Sequence, residues 1–158
     1  MKNMDRTANY ISKDKRKELE AELEELKGPK RKEILEALQY AKSLGDLSEN
    51  AEYHQAREDQ GKLESRIAQI ESILQSSLVV SGGGGDIIEI GSKIVVRKNG
   101  EKEEKEFIIV GSEEADITLG KISNQSPLGR AFFGKKKGES IKVATPGGEV
   151  DYKILSVA

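Results

Sequence analysis

Between Ser12 and Leu78 the apolar positions keep a helical beat. Leu19, Leu23 and Leu26 are spaced by four and three, the stripe resumes at Ile34, Leu38 and Ala41, and a second run follows through Tyr53, Ala56, Gln60, Leu63, Ile67, Ile70 and Leu74. So narrow a stripe is the seam of a coiled coil. Ser12 is placed to cap the first helix. In an antiparallel hairpin the residue numbers of facing pairs add to a constant, and they do so here for Leu19 with Leu74, Leu23 with Ile70 and Leu26 with Ile67. The same holds for Ile34 with Gln60, Leu38 with Ala56 and Ala41 with Tyr53, but with a constant one residue larger. The step falls at Gly28-Pro29, where a proline should break or kink the helix. Half the constant puts the tip at Asp46-Leu47-Ser48, at the end of an arm roughly 50 Å long at 1.5 Å per residue.

Beyond Ser81-Gly-Gly-Gly-Gly-Asp86 the pattern changes to short β-branched runs broken by Gly, Asn and Pro. Strands are predicted over 93–97, 107–110, 121–123, 141–144 and 150–157. Asn99-Gly100 and Pro146-Gly147-Gly148 supply turns. Ser126-Pro127 should open a short helix through Phe133 that stops at Gly134. The expected architecture is α+β: a hairpin domain over 1–80, a glycine hinge at 81–86, and a curled antiparallel sheet with one short helix over 87–158. The glycine run is no phosphate loop, because no Lys-Ser/Thr follows it and no helix opens after it.

Composition agrees with a solvated arm. Hydrophobic residues make up 35%, charged residues 34% and aromatics 4% of the 158 residues, which argues against one core for the whole chain. A net charge of -2 gives no bulk basicity for sequence-independent duplex binding. Cysteine is absent, which removes disulfides and thiolate metal sites and suits a reducing compartment. The N-terminus has no apolar signal core and no run of 18 apolar residues occurs, so a soluble cytoplasmic protein with no membrane partner is expected.

The tip, GDLSENAEY, carries Asp46 and Glu49 far from any core. The commoner meaning of such a pair is structural: Asp46 caps the second helix and Glu49 completes a capping-box-like arrangement. The chemical alternative is that two hard oxygen donors share one divalent ion. Magnesium takes one or two protein carboxylates and leaves its other positions to water and phosphate. Two acids make no closed cage, so such a site needs a partner. His54, the single histidine, is a metal ligand or base only on the sharper reading and an exposed or packed ring on the ordinary one. Lys30-Arg31-Lys32 reads as a solvated face, and Arg57, with Glu52, Glu58 and Asp59 near it in sequence, reads as a surface ion-pair residue.

The stretches GDLSENAEYHQAREDQGKLESRI, VGSEEADITLGKIS, SPLGRAFFGKKKGES and TPGGEVDYKI, in collinear order over residues 10 to 157, resemble the bacterial transcript cleavage factors of the Gre family, nearer GreA than GreB. The resemblance implies a coiled-coil N-terminal domain and an FKBP-like C-terminal domain. It implies binding of bacterial RNA polymerase at the rim of its secondary channel, with the hairpin entering the channel. The tip would stimulate the polymerase's own cleavage of backtracked nascent RNA, so that synthesis resumes from a new 3′ end. The chain would thus be a protein cofactor and not an enzyme in its own right.

By the same resemblance Asp46 and Glu49 match the essential acids, which help to hold a magnesium ion jointly with the polymerase and do not bind it stably alone. Leu47, Ser48, Asn50 and Tyr53 match the tip around them. Arg57 matches a basic position near the extruded RNA 3′ end, and Lys42, facing it across the hairpin, is a second candidate. Asn124, Ser126, Pro127, Leu128 and Arg130 match the segment that helps to dock on the polymerase. A monomer is expected. The chain departs from the family at Gly129, where alanine is usual, and at Phe132-Phe133, where smaller aliphatics are common. An FKBP-like fold carries no implication of prolyl isomerase activity. Three rivals stay open: an inhibitory paralogue that plugs the channel, disfavoured by the D-L-S-E-N spacing; a structural adaptor whose acids are only caps; and a free-standing nuclease, which lacks ligands and a pocket.

Overall fold

The computed structural model describes residues 5–158, and these divide into two compact units. One is Arg16–Ser76, the helical hairpin. The other joins the N-terminal residues up to Lys15 with Ser77–Ala158. The boundary expected near residue 80 therefore lies elsewhere, and the N-terminal segment folds with the β unit.

The hairpin rises through α1 (Lys13–Glu25), a π-helical turn (Leu26–Lys30) and α2 (Arg31–Ser43), then descends as α3 (Ala51–Ser76). Ser12 caps α1, its hydroxyl accepting from the Lys15 amide at 3.0 Å. Of the break or kink expected at Pro29, the break does not occur. Proline has no N–H to give to the carbonyl four residues back, and the chain widens by one residue instead: the Arg31 amide donates to the Leu26 carbonyl, five residues earlier. A π turn is a one-residue insertion in an α-helix. It accounts for the one-residue step in the seam while keeping the arm continuous.

Ile34, Leu38, Ala56, Leu63 and Ile67 form the buried seam, with Leu23, Leu26 and Tyr53 packed against it. Near the base the buried position is Ile73 and not Leu74, which is half-exposed. Cross-helix ion pairs flank the seam. Arg66 reaches both Glu22 oxygens (2.6 and 2.9 Å), Arg31 reaches both of Glu64 (3.0 and 2.9 Å), and Lys27 pairs with Glu71. Exposed pairs contribute about 0–1 kcal/mol each, against roughly 1.5–3 kcal/mol for a buried Leu or Ile. The seam holds the hairpin and the ion pairs select its register. Lys30-Arg31-Lys32, read as a solvated run, is accordingly paired: Lys30 with Glu33, Arg31 across to Glu64, and Lys32 with Glu36.

In the second unit β1 (Tyr10–Ser12) and β2 (Leu78–Val80) pair in parallel, a two-stranded element the sequence pattern did not predict. The main sheet contains β3 (Lys93–Lys98), β4 (Glu104–Val110), β5 (Lys121–Ser123), β6 (Ser140–Thr145) and β7 (Gly148–Val157), in the order β5-β4-β3-β7-β6. It is antiparallel except at one edge, where β5 runs parallel to β4. The short α-helix α4 (Pro127–Phe132) has Ser126 as its cap, with the Gly129 amide donating to the hydroxyl at 3.1 Å. Ile88, Ile94, Val96, Ile109, Ile154 and Phe132 are buried at the centre of this unit, and Tyr10 of β1 joins them.

Polar contacts tie the N-terminal segment to the sheet. The Asn124 amide donates to the Arg6 and Ala8 carbonyls, both at 3.1 Å, and the Ser12 hydroxyl and amide donate to Glu114 at 2.6 and 3.0 Å. The glycines mark how closely these strands approach. A methyl group on Gly111 would lie 1.6 Å from the Tyr10 carbonyl oxygen, and one on Gly82 would lie 1.8 Å from that of Ile90. The glycine run is therefore no hinge between units. Its first residues are packed against backbone inside one unit, and only Gly84 and Gly85 face open space.

Gly111→Ala should thus lower the stability of the β unit by about 1–3 kcal/mol through overpacking against Tyr10. Thermal unfolding by circular dichroism, compared with the exposed control Gly147→Ala, checks this.

Candidate functional site

The connection between α2 and α3 runs from Leu44 to Asn50, centred on the tip expected from the seam. α2 ends where Gly45 takes φ 119°, a conformation that side chains disfavour. At the other side Asn50 caps α3, its side-chain oxygen accepting from the Tyr53 amide at 3.0 Å. The cap is therefore not Asp46, and the capping-box reading of the two acids does not hold.

Asp46 instead closes a local turn. Its Oδ1 accepts from the Ser48 amide (3.0 Å) and hydroxyl (2.9 Å). These two donors, the backbone one foremost, hold the Asp46 carboxyl below the usual carboxylate range. The other oxygen accepts nothing among the described residues. Glu49 is exposed and makes no hydrogen bond or ion pair among them. Leu47 is exposed as well, and among the described residues Ser48 hydrogen-bonds to Asp46 and His54.

His54 sits with Nε2 3.3 Å from the Ser48 carbonyl and its ring edge-on to Tyr53 at 5.7 Å. Its place is against the tip backbone, with the ring donating when Nε2 carries the proton. Asn50 has a second contact: its amide donates to the Ala41 carbonyl at 2.6 Å, so one side chain joins the end of α2 to the start of α3. Arg57 donates to Gln60 at 3.0 Å and has no ion pair among the described residues, since Glu58 pairs with Lys62 and Asp59 accepts from Gln55. Lys42 is exposed in the last turn of α2.

Two exposed carboxylates at one loop, one of them kept ionised, are hard oxygen donors of the kind that suits magnesium. No group of three or more His, Asp or Glu side chains that could hold a metal exists among the described residues. The donor set fits an ion completed by other ligands and cannot enclose one.

In the β unit, Pro127 and Arg130 of α4 are exposed, while Ser126 and Leu128 are half-buried. Asn124 is a correction: it is fully buried, and its amide is spent on the N-terminal segment, so it offers nothing to a docking surface. Beside α4 lies an open apolar groove of about 410 Å³, lined by Ile117, Ile122, Pro127, Leu128, Val143 and Pro146. Ile117 and Leu119 are 73% and 66% exposed. The motif reading missed them, although two large apolar side chains in the charged and polar segment 112–120 were a signal. Gly129, where the resemblance led alanine to be expected, has a local reason here: a methyl group would stand 1.8 Å from the Ser123 carbonyl oxygen. Phe132 and Phe133 are both buried in the core, where their volume is used.

A family model described as "Transcription elongation factor, N-terminal" matches residues 9–79, and one described as "Transcription elongation factor, GreA/GreB, C-term" matches 83–158. The chain is 50% identical over 143 residues to transcription elongation factor GreA of Clostridium acetobutylicum, covering 89% of this chain and 90% of that protein. It is 45% identical to GreA of Roseiflexus castenholzii (94% and 96% covered) and 38% identical to GreA of Bacillus cereus (93% and 94%).

The local geometry makes one titration testable. The Asp46 carboxyl, depressed by the Ser48 donors, stays charged above its folded midpoint, and the turn loses this interaction as pH falls through that midpoint. Ser48→Ala should move the Asp46 midpoint upward toward the ordinary value near 3.9. Carboxyl-carbon NMR titration of the two proteins would show it, and equal midpoints would contradict the turn's role.

Proposed function

The chain belongs to the GreA/GreB family of transcription elongation factors, and from that premise we propose that it acts on bacterial RNA polymerase by completing the polymerase's RNA-cleavage centre with Asp46 and Glu49. The β unit docks at the rim of the secondary channel through Ser126, Pro127, Leu128 and Arg130 and the groove beside them. The hairpin enters the channel and brings its tip to a backtracked RNA 3′ end.

The observation that carries this reading is that neither acid is consumed by the fold. Asn50 does the capping, which leaves Asp46 with one oxygen engaged and Glu49 with none. An exposed acid pair with no capping duty is unexplained by a purely structural adaptor. Magnesium, bound between these carboxylates and acids of the polymerase, would supply a polarised water for attack on a phosphodiester. The chain's own part is to present carboxyl oxygens at a fixed place, with the Ser48 donors holding the Asp46 carboxyl below the usual carboxylate range. Lys42 and Arg57, neither paired with an acid among the described residues, can lie along RNA phosphate. By itself the protein turns over nothing, because two acids provide neither a full ion shell nor a pocket.

Added to a purified backtracked polymerase complex with magnesium, the protein should shorten the RNA to a product that can be extended again. Asp46→Asn or Glu49→Gln should remove at least about 100-fold of that stimulation, the scale of losing an electrostatic contact at a reacting centre. Polymerase binding and helicity should remain. Stimulation that survives both substitutions, or RNA release without polymerase, contradicts the proposal, and inhibition in place of cleavage would identify a channel-plugging factor.

A further inference from the structure

Among the described residues three aspartates make the same local turn. Asp5 accepts from the amide and hydroxyl of Thr7, Asp46 from those of Ser48, and Asp116 from those of Thr118. Two of the three lie far from the tip in sequence and belong to the other unit, so this turn is a local habit of Asp-x-Ser/Thr and does not by itself aim a carboxylate. A turn closed over three residues also leaves its own base free to swing. What distinguishes the tip is the side chain beneath the loop.

We propose that Asn50 is the positioning residue of the acidic tip, joining the Ala41 carbonyl at the end of α2 to the Tyr53 amide at the start of α3 so that Asp46 and Glu49 are presented in one arrangement. This rests on the reading of those two acids as ligands that complete an ion shell. The geometry is specific to an amide. The oxygen serves as helix cap at 3.0 Å, and the nitrogen donates to a carbonyl nine residues earlier at 2.6 Å. That carbonyl is one of the last four of α2, which have no partner further along the helix, and it accepts the Leu44 amide as well, at 3.2 Å. Asn50 is half-buried and the residues between the two anchored ends, 44–49, are exposed. The clamp is thus the point at which the loop is fastened across its base.

Aspartate and serine share the capping role with asparagine but not the donation. A carboxylate has no proton to give to Ala41, and serine is too short to span both helices. Asn50→Ser therefore separates cap from clamp: the cap is conserved, since serine and asparagine rank alike there, while the brace to α2 is lost. Asn50→Asp is the second variant should serine perturb the helix.

Two measurements test this on the full-length protein. In the free protein, amide order parameters at Gly45 to Glu49 should fall in Asn50→Ser from near the rigid value of about 0.85 to below about 0.6, with those of α3 unchanged. With backtracked polymerase, the magnesium concentration for half-maximal cleavage should rise about 10-fold or more, the usual scale for removing a group that orients a metal ligand. The maximal rate at saturating magnesium should be largely kept, and polymerase affinity should not change, a split that simple loss of folding would not produce. Unchanged order parameters in both variants overturn the clamp whatever the polymerase does, and so does a wild-type magnesium response with a loosened loop. If the wild-type protein gives no cleavage at all, the reading of the acids fails instead, and the order parameters alone decide whether Asn50 holds the loop.

Discussion

Two long helices can carry a functional tip only if they stay in register from base to end, and in this protein that register is held across a proline. A helix that loses a hydrogen bond at Pro29 could bend away from its partner. The Arg31 amide reaching back to Leu26 absorbs the disruption as one extra residue in the turn, and the apolar stripe resumes on the same face at Ile34. The bidentate pairs of Arg66 with Glu22 and Arg31 with Glu64 flank the turn on either side. The buried Leu and Ile side chains supply most of the stabilisation, and the guanidinium forks penalise a slip of the helices past each other.

At the far end the polar side chains divide their tasks. Asn50 satisfies backbone groups of both helices, Ser48 engages one oxygen of Asp46, and His54 lies against the Ser48 carbonyl. Each uses a group that would otherwise need water or strain the loop, and the result is that charge is left over. Two exposed carboxyl groups, one bound by Ser48 through a single oxygen and the other without a hydrogen bond or ion pair among the described residues, place negative charge at the end of the arm with little return to the fold. The exposed apolar residues of the β unit pose the same question: Ile117 lines the open groove beside α4, and Leu119 also faces solvent.

The N-terminal segment shows how polar groups can build a unit from distant pieces of chain. Asn124, expected from its motif to face a partner, holds residues 6 and 8, and Gly111 lets the Tyr10 backbone come closer than any side chain would permit. Tyr10 then reaches the core shared by Phe132 and Ile154. A motif match located Asn124 but could not say whether its amide is spent inside the molecule.

The sequence alone determined the elements whose signals are periodic and local: the seam, the tip centred on Leu47, the Ser12 and Ser126 caps, all five strands of the main sheet, and the presence of two acids at the end of the arm. Each of these follows from spacing along one helix or strand, where neighbours in space are neighbours in number. Only the tertiary structure decided that Asn50 and not Asp46 caps the descending helix, that Pro29 widens the helix without breaking it, that β1 lies beside β2, that β5 runs parallel to β4, and that the glycine run is packed. Those outcomes depend on which of several competent donors, or which of two distant backbones, comes within reach first. A three-residue strand or a single amide carries too little periodicity to announce its partner from elsewhere in the chain.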